Sequence, residues 1–164
     1  MAKIIAGILA FLLWIFPNWS SLQNRYELLT FSWEATANNI MNAVKTNDIT
    51  ALEAMMCRNI KQNIADLPGE ISKLLDTIDG EITTFTWKTF GAFTASHGIG
   101  KSLGQMTLAI DFTTSAGSYR LGMMWEYSNS FQPKEKGIRN ISVHSEGEVL
   151  ALITATNGVG EWHE

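Results

Sequence analysis

"QMTLAIDFTTSAGSYRLGMMWEY", residues 105–127, decides the fold class. In its first half Met106, Leu108, Ile110 and Phe112 alternate with Gln105, Thr107, Ala109 and Asp111. In its second half Tyr119, Leu121, Met123, Trp125 and Tyr127 alternate with Arg120, Gly122, Met124 and Glu126. A period of two, rich in β-branched and aromatic residues, is the pattern of a strand with one buried face. With Ala116 and Gly117 as the turn, Phe112 faces Leu121, Ile110 faces Met123 and Leu108 faces Trp125. Both apolar faces then fall on one side, which a one-residue slip would destroy, so the stretch reads as an antiparallel hairpin.

The alternation extends in both directions. "EITTFTW", residues 81–87, places Phe85 and Trp87 on one face of a strand. Further on, Glu146 and Gly147 as a turn would set Ile141 and Val143 against Leu152 and Leu150. The result is a meander of four or five strands, with a longer charged loop around "SFQPKEKG", residues 130–137. Asp111 and Arg120 come within reach diagonally across the hairpin and read as a surface ion pair.

Before residue 81 the period is helical. Trp33, Ala37, Ile40, Met41 and Val44 form one stripe, broken at Thr46, Asn47 and Asp48. Asp48 is placed to cap a second helix carrying Ile49, Leu52, Met55 and Met56. Pro68 suits the first turn of a third, whose buried face is Ile71, Leu74, Leu75 and Ile78 and which Gly80 stops. Ile60 and Ile64 mark a further helical turn between them. Helices first and strands later imply an α+β domain, with about three N-terminal helices packed on one face of a curved antiparallel sheet of four or five strands.

The greasiest stretch lies outside this pattern. Ile4 to Phe16 holds thirteen uncharged residues behind Lys3, and Pro17 follows. As a helix it would span about 20 Å against a hydrocarbon core of about 30 Å, and a positive start with a short apolar core is the layout of a secretory signal. Its cleavage region is poor, because Asn18, Trp19 and Ser20 put a polar residue where a small one is wanted. Left uncleaved it would serve as a membrane anchor, with Trp14 and Trp19 at the interface. The alternative is a buried first helix. Residues 1–24 are therefore assigned to a signal or membrane anchor and residues 25–164 to a single α+β domain, extracytoplasmic and bacterial.

The chain carries 12 basic and 16 acidic residues, a net charge of −4. Lys3 is the one basic residue before Arg25, so the domain itself holds 11 basic and 16 acidic residues. No basic run or aromatic-interleaved basic patch occurs, which argues against a nucleic-acid partner. The single cysteine, Cys57, permits no intrachain disulfide and sits beside Met55 and Met56 as a core residue would.

The segments "IMNAVKTNDITALEAMM" (40–56), "ISKLLDTIDGEITTFTW" (71–87), "IDFTTSAGSYRLGMMWEY" (110–127) and "PKEKGIRNISVH" (133–144) together resemble a domain-of-unknown-function family found in lipoproteins of Gram-positive bacteria. That family is similar in architecture to the nuclear-transport-factor-two-like, or cystatin-like, cone fold. The resemblance covers about residues 34 to 145 and rests on helix order, Asp79-Gly80-Glu81 at the start of a strand, and Gly117, Tyr119 and Arg120 in the hairpin. It departs in one respect: Leu22, Gln23 and Asn24 follow the apolar leader where the lipoproteins carry the cysteine that is lipidated. Lipid attachment is thus unsupported, and a plain signal or protein anchor takes its place.

Several fragments suggest chemistry and fail on geometry. "ASHGIGKS", residues 95–102, misses a phosphate-binding loop by one residue, since Ala95 stands where the first glycine belongs. Eight residues separate Ser102 from Asp111, too few for the helix and return that a parallel sheet needs, and the residues after Ser102 alternate like a strand. His97, His144 and His163 have no second ligand at metal spacing, and His144 on its strand would face solvent. "DTIDGE", residues 76–81, fails the calcium-loop spacing, and no Gly-x-Ser-x-Gly occurs. No metal or cofactor is expected.

A ketosteroid-isomerase or cyclase-like enzyme, implied by the likeness to the cone superfamily, would need a carboxylate or histidine inside the cone. Asp111, Arg120 and Glu126 fall on the face opposite the Met, Leu and Trp set, which leaves Glu34, at the border of the first helical stripe, as the acidic residue nearest the core. The inner face would carry Phe85, Trp87, Met123, Trp125 and Tyr127, either as core or as the lining of an apolar pocket. The expected function is binding of a small apolar ligand or a partner protein without catalysis. The alternatives are the enzyme and an immunity-type protein that docks through its exposed sheet face.

Overall fold

A computed structural model of the chain describes residues 26, 28–96, 102–129 and 135–154, with side chains unplaced at 92–96 and 102. The leader, the centre of the glycine-rich segment after Ala95, His97 and His163 lie outside the described residues. Among the described residues, after helical residues at 28–30, the helices α1 (Trp33–Lys45), α2 (Ile49–Met55), α3 (Arg58–Asn63) and α4 (Leu67–Asp76) precede five strands. The strands are β1 (Ile82–Ser96), β2 (Ser102–Thr114), β3 (Ser118–Asn129), β4 (Gly137–Ser145) and β5 (Glu148–Thr154). They form one antiparallel sheet in the order β1-β2-β3-β4-β5, a meander with two open edges. The architecture is mixed α+β. Among the described residues no helix is long and apolar enough to cross a membrane.

Local chemistry fixes the helix starts. Ser32, Asp48 and Asp66 each accept the backbone N–H three residues on, satisfying one donor that a helix N-terminus leaves orphaned. The turn expected at Ile60 and Ile64 is helix α3, which opens at Cys57 without a side-chain cap. Helix α4 ends at Asp76 and Thr77, before Gly80, which turns the chain into β1 at φ +81°. Ile40 and Met41 of α1, Leu52 of α2, Ile60 of α3 and Ile71 and Leu74 of α4 share one buried cluster with Leu108, Ile110, Leu121, Met123, Ile141 and Val143 of the sheet. Each such aliphatic side chain removed from water contributes about 1.5–3 kcal/mol before entropy is counted.

The central hairpin pairs with a register two residues from the expected one. Phe112 faces Tyr119, Ile110 faces Leu121, Leu108 faces Met123 and Met106 faces Trp125. The loop is centred on Ser115 and Ala116 rather than Ala116 and Gly117. Thr114 closes it by donating its N–H to the Gly117 carbonyl at 2.8 Å and accepting the N–H groups of Ala116 and Gly117 on its hydroxyl. A shift of two keeps every side chain on its own face, so the facial assignment survives. The shift also sets Asp111 directly opposite Arg120 instead of diagonally.

At the last hairpin Glu146 and Gly147 both have positive φ, 53° and 86°, the signature of a two-residue turn of the primed type. Ser145 pairs with Glu148 and His144 with Val149, but a bulge follows, so Val143 faces Ala151 and Ile141 faces Ile153. The expected partners Leu150 and Leu152 are thereby turned outward, 42 % and 56 % exposed, while Ile153 is buried. One extra residue in β5 exchanges its two faces.

Candidate functional site

Two further bulges shape the far end of β3. Gln105 pairs with Glu126 and Gly104 with Ser128, leaving Tyr127 as the extra residue. On the other side Met124 pairs with Asn140 and Trp125 with Ile138, leaving Arg139 as the extra residue of β4. Bulges re-aim side chains, and both of these do. Tyr127 meets the first turn of α1, its ring edge-on to Trp33 at 6.2 Å between centroids. A Cβ on Gly104 would lie 2.5 Å from that tyrosine ring, so the strand passes beneath it only as glycine.

Phe31, just before the Ser32 cap, joins the group. Its ring lies 4.4 Å from Trp33 and 5.7 Å from Trp125, both tilted. Four rings from two distant parts of the chain therefore adjoin, at separations typical of favourable aromatic pairs. Beside them opens a cleft of about 520 Å³, lined by Phe31, Met55, Trp125, Glu126, Tyr127 and Lys136 among others. That volume falls in the range of small-molecule sites, about 300–1,000 Å³.

A polar cluster centred on Glu126 borders the cleft. Glu126 faces away from the Leu121 and Met123 side of the sheet, as the alternation requires, yet its exposure is 0 %. Its Oε2 accepts from Arg139 Nη1 at 2.9 Å and from Gln105 Nε2 at 3.3 Å, and its Oε1 accepts from Asn129 Nδ2. Both carboxylate oxygens therefore accept hydrogen bonds, and Arg139 supplies the opposing charge. Glu34, the acidic residue expected nearest the core, is exposed on α1, and Glu126 is the buried one.

The five candidate residues separate into groups. Trp125 and Tyr127 line the cleft. Met123, 2 % exposed, belongs to the core. Phe85 is half-buried against that core, with Lys45 Nζ 5.3 Å from its ring centroid. Trp87 faces the same side as Ile110 but stands 38 % exposed on the outer strand β1. Phe31 was beyond the reach of strand alternation, because it precedes the first helix.

A second cleft of about 640 Å³ lies at the turn end of the sheet, lined by Phe85, Thr86, Asp111, Tyr119, Arg120 and His144 among others. Asp111 accepts from Arg120 and lies 3.1 Å from Lys88 Nζ. The Arg120 hydrogen bond, opposed by slight burial and aided by Lys88, holds its carboxyl below the usual aspartate range. His144 is half-buried and its Nε2 lies 2.8 Å from the Ser142 hydroxyl. Ser142 Oγ also lies 3.2 Å from the Gly122 carbonyl oxygen, so its proton is shared between two acceptors, and the histidine tautomer sets which of Ser142 and His144 donates to the other.

Cys57 is buried, and that burial raises its thiol above the ordinary value despite hydrogen bonds from the backbone of α3. Ser102 begins a strand paired on both sides, incompatible with a phosphate loop that opens a helix. Among the described residues no three His, Cys, Asp or Glu side chains are grouped to hold a metal ion. A family model described as a domain of unknown function, DUF5104, matches residues 39–148. No curated protein matches the chain.

Proposed function

From the premise that the chain belongs to the DUF5104 family, we propose that the domain binds a small apolar ligand in the cleft beside Phe31, Trp125 and Tyr127 and performs no chemistry on it. The observation that carries this reading is the convergence of those rings with Trp33 at one mouth. Aromatic walls supply apolar area at small entropic cost, the composition a ligand site favours. In this reading the sheet and helices close as the cystatin-like cone that the resemblance to Gram-positive lipoproteins implies. Residues 1–24 carry the domain out of the cytoplasm and tether it to the membrane.

The enzyme reading finds support in Glu126, a buried carboxylate next to an apolar cleft. Its oxygens already accept from Arg139, Gln105 and Asn129, which argues against a general base with a free lone pair aimed at substrate. Native mass spectrometry of the full chain, released gently from a mild detergent, tests binding directly. An extra mass that survives mild activation and leaves on denaturation supports the ligand reading. A chain that stays bare with a panel of apolar compounds, and instead captures a protein through the outward Leu150 and Leu152, would replace it. Cell fractionation tests the tether: the intact chain recovered from the soluble cytoplasm would refute it.

A further inference from the structure

The two edges of the sheet are built differently. The pairing of β1 is broken between Ile82 and Thr84 and again between Phe90 and Ala92, where Gly91 takes φ +50°, and Lys88 stands between the breaks. Bulges and lysines are the devices that keep foreign strands off an edge. At the other edge β5 reads "EVLALIT", with neither lysine nor proline. Helix α4 packs against it from the inner side, where Ile153 is buried and Ala151 is partly so. On the outer side Val149, Leu150 and Leu152 are exposed. Among the described residues no strand pairs with the far edge of β5, whose backbone donors and acceptors therefore form a template for another strand.

We infer that β5 is the seam of a homodimer, in which a second copy of this chain adds its own β5 antiparallel to the first. The edge is complementary to itself, and this favours a second copy over a foreign strand. A two-fold axis through Leu152 sets that leucine against its own copy, Ala151 against Ile153 and Leu150 beside Thr154. Parity then holds across the seam: Ala151 and Ile153 keep to the helix side in both copies, and Leu150, Leu152 and Thr154 to the other. The bulge falls at Leu150, so residues 151–154 around the axis are regular. The acidic turns do not meet, because at about 3.3 Å per residue the two Glu148 lie about 26 Å apart along the seam, beyond the screening length of about 8 Å.

The test is cysteine cross-linking of the full chain in a mild nonionic detergent with a short bis-maleimide, the wild type serving as the blank for buried Cys57. Leu152→Cys is expected to give a covalent dimer, because the residue on the axis meets its own copy. Val149→Cys, as exposed as Leu152, is expected to stay monomeric, since its two copies would stand about 20 Å apart. Leu150→Cys mixed with Thr154→Cys should cross-link several-fold more than either alone, and adding Leu152→Lys to both chains should remove that product by setting two ammonium groups together on the axis. The substituted side chains are all exposed, and unchanged melts show that each variant is folded. Val149→Cys cross-linking as readily as Leu152→Cys would mean chance encounters, and a Leu152→Cys chain that stays monomeric would mean that no second copy sits on this edge; either result overturns the seam.

Discussion

Replacing Arg139 by methionine strands the Glu126 carboxylate. The side chain of Glu126 is fully buried, that of Arg139 is 30 % exposed, and the two lie 2.9 Å apart. Without the guanidinium, the carboxylate retains, among the described residues, the neutral donors of Gln105 and Asn129. Breaking one partner out of a buried pair costs about 3–5 kcal/mol. Water reaches the arginine side of this pair, so the lower end, about 3 kcal/mol, is expected. With a urea m-value of about 2 kcal/mol/M, the midpoint falls by about 1.5 M. Glu126→Gln removes the charge instead and lets the exposed part of Arg139 hydrate, at a cost of about 1–2 kcal/mol. The double variant carries no stranded charge, so it is more stable than Arg139→Met alone, and the two changes are non-additive by about 2 kcal/mol. The assay is equilibrium urea unfolding of the full chain in mild detergent, followed by tryptophan emission. A loss below about 1 kcal/mol in Arg139→Met, or a double variant weaker than that single one, would refute the reasoning.

Three other perturbations probe separate features. Gly104→Ala drives a methyl into the Tyr127 ring, which Trp33 holds from the other side, so about 1–3 kcal/mol is lost and the near-ultraviolet dichroism of the aromatic cluster changes; an unaltered melt would show that the ring moves aside freely. In β5, Ile153→Ala is expected to cost about 2–4 kcal/mol and Leu152→Ala less than about 0.5, a contrast that reverses if the bulge after Val143 is absent. Asp111 is more than a third exposed, so Asp111→Asn costs at most about 1 kcal/mol at neutral pH. Because Arg120 and Lys88 depress its folded pKa, Asp111 stabilises above the ordinary aspartate pKa and loses that contribution as pH falls through the folded value. Melts of wild type and Asp111→Asn should therefore converge below about pH 4, and a gap that widens in acid would contradict the assignment.

Strand faces were legible because parity is robust. The central hairpin slid by two residues, from Phe112 opposite Leu121 to Phe112 opposite Tyr119, and no side chain changed sides. What decided the slide was the Thr114 hydroxyl, a local hydrogen bond worth too little to show in any hydrophobic pattern. Bulges are different, since one extra residue inverts parity and leaves no trace in the alternation. Leu150 and Leu152 look like core and face water, while Ala151 and Ile153 look like the outer face and pack inward. The helix caps lie at the opposite extreme: Asp48 is a purely local signal, and it accepts the Ala51 N–H at 2.9 Å.

The site follows the same division. Trp125 and Tyr127 could be read from the strand, but the residue that seats Tyr127 against α1 is Gly104, and the residue that buries Glu126 is Arg139, each acting through a bulge. Phe31 could not be paired with Trp125 by any periodicity, because about ninety residues of chain separate them and only the closed tertiary structure brings their rings together. A common consequence links these cases. The described charges nearest the two clefts are largely committed to each other: Glu126 to Arg139, Asp111 to Arg120 and Lys88, Glu135 to a helix N-terminus. Groups so engaged fix the shape of the strand ends and hold little reactivity in reserve. The unsaturated property of the aromatic mouth is its apolar surface, and the reading as a binder rather than a catalyst rests on that contrast.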